Sequence, residues 1–238
     1  MTCYNNFKDR FENIPGPKLP VIDQIYVISM PQRRSYIEQQ MEKLNYDITY
    51  FDAVKPSDLS YDDYNLLSTI NQPGSMIAGK YTRLPVLLSF IMCFVDALSK
   101  GYRTLTIFED DISINVSKKL LEKTCVEYSK NPIDVLYMGY CFLDCSTPNQ
   151  PYEFITLLSD PNLLCCHAMC VKTKILPGLI NYCFPMVNNS DELFRDYYQK
   201  MNIKVGVPKN AYFSQNRKTV DSLNESKEDL ELFKTCEF

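Results

Sequence analysis

The sequence has no tryptophan, a single histidine and only seven glycines in 238 residues. So few glycines, without a Gly-x-y period, exclude a collagen-like chain. One histidine, His167, leaves little for a zinc centre. The ten cysteines add no paired C-x-x-C spacing, the densest groups being Cys141-x3-Cys145 and Cys165-Cys166-x3-Cys170. Positive charge is also short: 25 Lys and Arg stand against 29 Asp and Glu, a net charge of −4. Such a chain lacks the basic surface that non-specific nucleic-acid binding needs, so no nucleic-acid partner is expected. The opening residues Met1-Thr2-Cys3-Tyr4-Asn5-Asn6 carry no basic and apolar leader. The cysteines are therefore expected to be free, mostly buried thiols in the cytoplasm or another reducing compartment. No apolar run reaches the ~20 residues of a spanning helix. The longest, 84–98, contains Asp96 and lies between Arg83 and Lys100. It reads as a buried helix, which leaves peripheral contact as the only membrane association expected.

What remains is an ordinary globular composition, 45% hydrophobic and 23% charged, long enough for one large domain. Its 17 tyrosines, with no tryptophan, suit an AT-rich genome such as some viruses have. Residues 1–21 are polar and then proline-rich, an extended lead-in to a domain over 22–222, with a charged tail over 223–238. Ile25-Tyr26-Val27-Ile28 is a short, β-prone apolar run, read as a buried strand. Pro31 opens a helix with Ile37, Met41 and Leu44 on one face. Further strands are expected near 48–51, 104–108, 134–138, 153–158, 165–171, 203–207 and 211–213. Helices are expected near 58–70, 84–99, 117–129, 173–183 and 190–200, and a loop over 71–75. Strands alternating with helices predict an α/β fold, a Rossmann-type and mostly parallel sheet covered on both faces. Ligands of such sheets bind at the carboxyl ends of the strands.

Glu109-Asp110-Asp111 stands at one such end, directly after the apolar strand Thr104-Leu105-Thr106-Ile107-Phe108. Adjacent carboxylates raise one another's pKa unless a cation neutralises them. A hard ion, Mg²⁺ or Mn²⁺, takes oxygen ligands and bridges carboxylates to phosphates. Alternation along an extended segment lets Glu109 and Asp111 point together, with Asp110 turned away. The plainer reading is a solvated acidic loop.

Four blocks together resemble the family 25 glycosyltransferases, the lipopolysaccharide-type enzymes and their collagen galactosyltransferase relatives. The first is Ile25–Arg34 (IYVISMPQRR) with Tyr50-Phe51-Asp52-Ala53-Val54. The second is Leu88-Ser89 before a helix, then Gly101-Tyr102 and Ile107-Phe108-Glu109-Asp110-Asp111-Ile112. The third is Asp134-Val135-Leu136-Tyr137-Met138-Gly139 with His167-Ala168. The fourth is the spacing of Pro208, Gln215 and Ser222. The resemblance implies a GT-A-like fold, a nucleotide-sugar donor, a glycan or protein acceptor and a divalent metal. It implies Asp111 as the main metal ligand, with Glu109 nearer the ribose or reaching the metal through water; Asp110 is a donor-side candidate beside them. Asp191, at the family's C-terminal acidic position, is the implied general base. Where the family has an acidic residue and a His, this chain has Arg83 and Phe90.

Other candidates each carry a bland alternative. Ser29, Arg33, Arg34 and Asp52 follow the first two strands, where a donor's phosphate, base or ribose would lie; each also suits a helix start or loop. Arg83 offers a planar fork for a phosphate or is a helix-edge residue. His167 is a candidate metal or acceptor contact, or a structural core residue. Asp191 also complements the helix dipole, with Glu192 and Asp160 the next carboxylates in line. Two rival functions remain: a sugar nucleotidyltransferase, whose glycine-rich phosphate loop is missing from Ser29–Arg34, and an inactive glycan- or partner-binding module.

Overall fold

A computed structural model of the chain describes residues 6–69, 77–142 and 149–216. After a 3-10 turn at Lys8–Arg10 come β1 (Phe11–Ile14), β2 (Gln24–Ser29), α1 (Arg34–Glu42), β3 (Ile48–Asp52), α2 (Tyr61–Leu67) and α3 (Ile77–Ser99). The middle of the chain forms β4 (Thr104–Glu109), β5 (Ile112–Ile114), α4 (Lys118–Lys130) and β6 (Val135–Phe142). The last part forms β7 (Asn149–Pro151), β8 (Ile155–Leu158), β9 (Leu163–Lys172), α5 (Leu176–Tyr182), α6 (Ser190–Lys200), β10 (Val205–Pro208) and β11 (Phe213–Gln215).

Nine strands make one sheet in the order β1-β3-β2-β4-β9-β6-β10-β8-β7, and β5 pairs with β11 in a small second sheet. Six of the nine run one way; β1, β8 and β9 run against them. The expected α/β plan is thus the one observed, with the antiparallel strand β9 inserted between β4 and β6. The lead-in contributes more than an extended approach: β1 pairs antiparallel with β3, from Phe11 opposite Phe51 to Ile14 opposite Ile48. Its burial pattern is mostly exposed, which is why it lacks an apolar signature. The helix read near 58–70 is shorter, starting at a Ser60 cap that accepts the Asp63 N–H at 3.2 Å. The loop at 71–75, Ser222 and the tail over 223–238 lie outside the described residues.

Each sheet face carries its own core. On one face, α3, α5 and α6 cover Tyr26, Leu105, Ile107 and Tyr137. On the other, α1 and α4 cover Val27, Phe108, Leu136 and Met138. Both faces of β2 are therefore buried, which explains a continuous apolar run rather than alternation. α3 is longer than the apolar run suggested, and over Thr82–Ser99 it is long and apolar enough to cross a membrane. It is instead the central helix of the first core, with 67% of that window buried. Leu84, Leu87, Leu88 and Phe94 are all buried there, each contributing about 1.5–3 kcal/mol. Phe90, where the resemblance implies a His, is also a core residue. Its ring meets Phe194 of α6 edge-on, with centroids 5.7 Å apart, and fastens α3 to α6. Seven cysteines are described and all are free thiols, Cys93, Cys125, Cys166, Cys170 and Cys183 being buried.

Candidate active site

β4 delivers the acidic motif. Leu105 and Ile107 face the α3–α6 core and Phe108 faces the α1–α4 core. Continuing the alternation turns Glu109 towards α6 and Asp110 towards α1. The contacts agree. The Asp110 carboxylate accepts the Met30 N–H at 2.6 Å and pairs with the Arg33 guanidinium at 3.1 Å. Burial pushes the Asp110 pKa up, against the pull of those two donors. Asp111 lies past the strand end. Its carboxylate accepts from the Gln215 amide at 3.3 Å, and its carbonyl accepts the Asn216 N–H at 2.6 Å.

Asp191 arrives from α6, on the side of the sheet that Glu109 faces. Asn189 caps α6 in a reciprocal box with Glu192, which places Asp191 in the first helical turn. The Asp191 carboxylate accepts the Glu192 N–H at 2.9 Å and the Cys165 N–H at 3.3 Å. Cys165 reaches it through a left-handed backbone, φ 68°, in a stretch of β9 whose pairing with β6 is irregular. Asp191 is close enough to Glu109 for its charge to matter. The Glu109 carboxyl is held well above the usual carboxylate range, first by burial, then by Asp111, Asp110 and Asp191, with Arg33 opposing. The charges of Asp111, Asp110 and Asp191 thus all act on Glu109 at the carboxyl end of β4, with Asp110 on the opposite face of the strand. The structure brings together Glu109, Asp110, Asp111, Asp191 and Arg33.

The other candidates are placed around this group or apart from it. Ser29 is fully buried at the end of β2, its hydroxyl donating to the Met30 carbonyl at 3.2 Å. Arg34 lies on the Tyr50 ring, 3.6 Å from its centroid, and pairs with Glu12 and Glu38. Asp52 is 3.9 Å from the same guanidinium and remains largely exposed. Both therefore belong to the β1–β3 edge. Arg83 is partly exposed on α3 and makes no ion pair with another described residue. His167 is buried across Gly139, with Nε2 3.2 Å from the Phe213 carbonyl. Asp160 bonds Gln199 at 2.9 Å, near the far end of α6. At ~1.5 Å rise per residue that is roughly 12 Å from Asp191.

Sequence reasoning missed the residues that brace the site. Tyr36 donates to the Ile112 carbonyl at 3.1 Å and accepts the Asn216 amide at 2.9 Å. Tyr36 and Asn216 are 180 residues apart, so no local pattern announces the contact. Among the described residues no three His, Cys, Asp or Glu side chains are grouped to hold a metal unaided. Glu109 and Asp111 are the carboxylates that would share one with a ligand.

The family described as glycosyltransferase family 25 (LPS biosynthesis protein) matches residues 22–140, half of the chain. The chain belongs to this family and is a transferase enzyme, and the helix-flanked sheet is the GT-A-like plan that membership implies. No curated protein matches the sequence. Among solved structures, similarity extends to a glycosyltransferase involved in glycosylation of the major capsid of PBCV-1. That likeness has 11% identity over 88% of this chain and 98% of that one, with a TM-score of 0.34. UDP-glucose pyrophosphorylase complexed with UDP-glucose is similar at 9% identity, over 78% and 72% of the two chains, TM-score 0.37. A197 from STIV is similar at 13% identity, over 77% and 80%, TM-score 0.35.

Proposed function

We propose that the chain transfers a sugar from a nucleotide sugar, a UDP-sugar, to a hydroxyl group on a glycan or protein acceptor. The observation that carries this reading is the placement of Glu109-Asp110-Asp111 at the carboxyl end of β4, with Asp111 braced by Gln215 and Arg33 paired with Asp110. The Glu109 carboxyl, raised by burial and by its acidic neighbours, is poorly placed in the free protein and well placed beside a cation. Two oxygen ligands do not enclose an ion, but they suit Mg²⁺ or Mn²⁺, which commonly takes one or two carboxylates and completes its shell with phosphates and water. A bound cation there supplies neutralisation of the diphosphate charge that develops as the donor breaks.

The protein side of the reaction follows from the residues. Arg33, held at the end of β2 beside β4, offers positive charge to the donor phosphates. Asp191 approaches from α6, the acceptor side in this reading. Its carboxylate takes the proton from the acceptor hydroxyl as that oxygen forms a bond to the anomeric carbon. The bond from that carbon to the diphosphate oxygen breaks, its electron pair leaving with UDP. One such displacement inverts the anomeric centre. The Arg83 and Phe90 departures favour an inactive module, and the intact Glu109-Asp110-Asp111 favours the enzyme.

Isothermal titration of the protein with UDP, with Mn²⁺ and with EDTA, tests the assignment. Binding in millimolar or tighter range that Mn²⁺ strengthens is expected. No heat with UDP or any other nucleoside diphosphate, with or without Mn²⁺, would remove the nucleotide-sugar reading.

A further inference from the structure

The Asp110–Arg33 pair joins the two halves of the site. β2 and β4 are parallel neighbours, with Ile28 opposite Glu109 at their carboxyl ends. Asp110 closes that junction. One carboxylate oxygen takes the Met30 N–H at 2.6 Å and the other takes Arg33 at 3.1 Å. Met30 in turn accepts the Arg33 N–H at 2.9 Å, so Asp110 holds both ends of the first turn leading into α1. The Asp110 and Arg33 side chains are only 8% and 15% exposed. A paired carboxylate this enclosed does not face a ligand.

We propose that Asp110 is a positioning residue: it latches the Met30–Arg33 turn to the acidic strand end, setting where Arg33 stands relative to Glu109 and Asp111. This rests on the nucleotide-sugar reading above. A diphosphate must touch Arg33 and the Glu109–Asp111 pair at once, and a misplacement of about 1 Å between such groups lowers rates by ~10²-fold. Asp110 acts through Arg33, which separates it from a donor contact.

The test is a double-mutant cycle read by UDP titration in EDTA, where no metal contributes, alongside thermal unfolding of each variant. Asp110→Asn keeps an acceptor for Met30 and removes the charge that holds Arg33. It should weaken UDP binding about tenfold, as should Arg33→Gln, and the double variant should bind no worse than Arg33→Gln alone. A purely structural Asp110 would lower the melting temperature and leave UDP affinity unchanged, which overturns the proposal. Additive losses overturn it too, since they make Asp110 an independent contact. If Asp110→Asn does not fold, Asp110→Glu serves: it keeps the charge but moves it by one methylene, and wild-type UDP affinity in EDTA for that folded variant would count against a latch. Normal UDP binding by the wild type with no loss in Asp110→Asn sinks only this inference. Absence of UDP binding by the wild type, with Mn²⁺ or without, sinks the functional reading and the latch with it.

Discussion

Gln215 donates its side-chain amide to the Asp111 carboxylate at 3.3 Å, across 104 residues of chain. The following residue, Asn216, donates its main-chain N–H to the Asp111 carbonyl at 2.6 Å. β11 runs antiparallel to β5, with Gln215 opposite Ile112, so the end of the described chain is fitted against the acidic motif. Groups that orient a ligating carboxylate commonly change metal affinity by ~10–100-fold when removed. Gln215→Ala should therefore weaken Mn²⁺-dependent UDP binding within that range, with EDTA-measured UDP affinity unchanged. Equal losses in both conditions would place Gln215 on the nucleotide instead.

Glu109→Gln should separate stability from activity. Folding raises the Glu109 pKa above its ordinary value near 4.5, by burial first and then by Asp111 and Asp110. Between those two values the folded chain binds more protons than the unfolded one, so this group's contribution to stability falls as pH rises through the folded-state pKa. The glutamine variant lacks that loss. In metal-free buffer at neutral pH its melting temperature should exceed the wild type's, by roughly 2–4 °C per kcal/mol recovered. The advantage should vanish at pH 4 and below, while transfer is lost at every pH. A lower melting temperature at neutral pH would contradict the crowding argument.

Asp191→Asn distinguishes a base from a helix-start residue. As a base it contributes ~10²–10⁴-fold to transfer, and UDP binding survives its loss. As a dipole partner alone it is worth typically ~0.3–1 kcal/mol of stability and almost no rate. Single-turnover kinetics at saturating donor decide between them, and near-normal turnover would take Asp191 out of the mechanism. Glu192, the helix cap partner, would be tried next; Asp160 is at the wrong end of α6.

Gly139→Ala should be destabilising. A Cβ at Gly139 would collide with His167 Nε2 and would stand 2.8 Å from the Phe213 carbonyl oxygen. Overpacking of this kind typically costs ~1–3 kcal/mol. Adding His167→Ala should restore part of the stability, because it removes the side chain that the new methyl group meets. A double variant no more stable than Gly139→Ala would show that the Phe213 main chain decides the clash. Since the same His167 nitrogen is 3.2 Å from that carbonyl, this region also seats β11 and, through it, Gln215.

What the sequence showed and what it hid follow from the range of the interactions. The strand at 104–109, the helix at 190–200 and the acidic end of β4 were legible because alternation, caps and apolar runs are local signals. The turning away of Asp110 was legible for the same reason, as strand periodicity dictates it. β1 was hidden because an exposed edge strand needs no apolar pattern. The true company of Arg34 was hidden because Glu12, Glu38 and Tyr50 come together only once β1 and β3 pair. The reversed direction of β9 was hidden because burial on both faces gives parallel and antiparallel strands the same composition.

The most direct measurement is UDP release from a panel of UDP-sugars in Mn²⁺, by wild-type protein and by Asp111→Asn, with circular dichroism to show that both are folded. The account predicts release by the wild type that EDTA abolishes, and none above background from a folded Asp111→Asn. Release by Asp111→Asn at the wild-type rate, or release unaffected by EDTA, would contradict it.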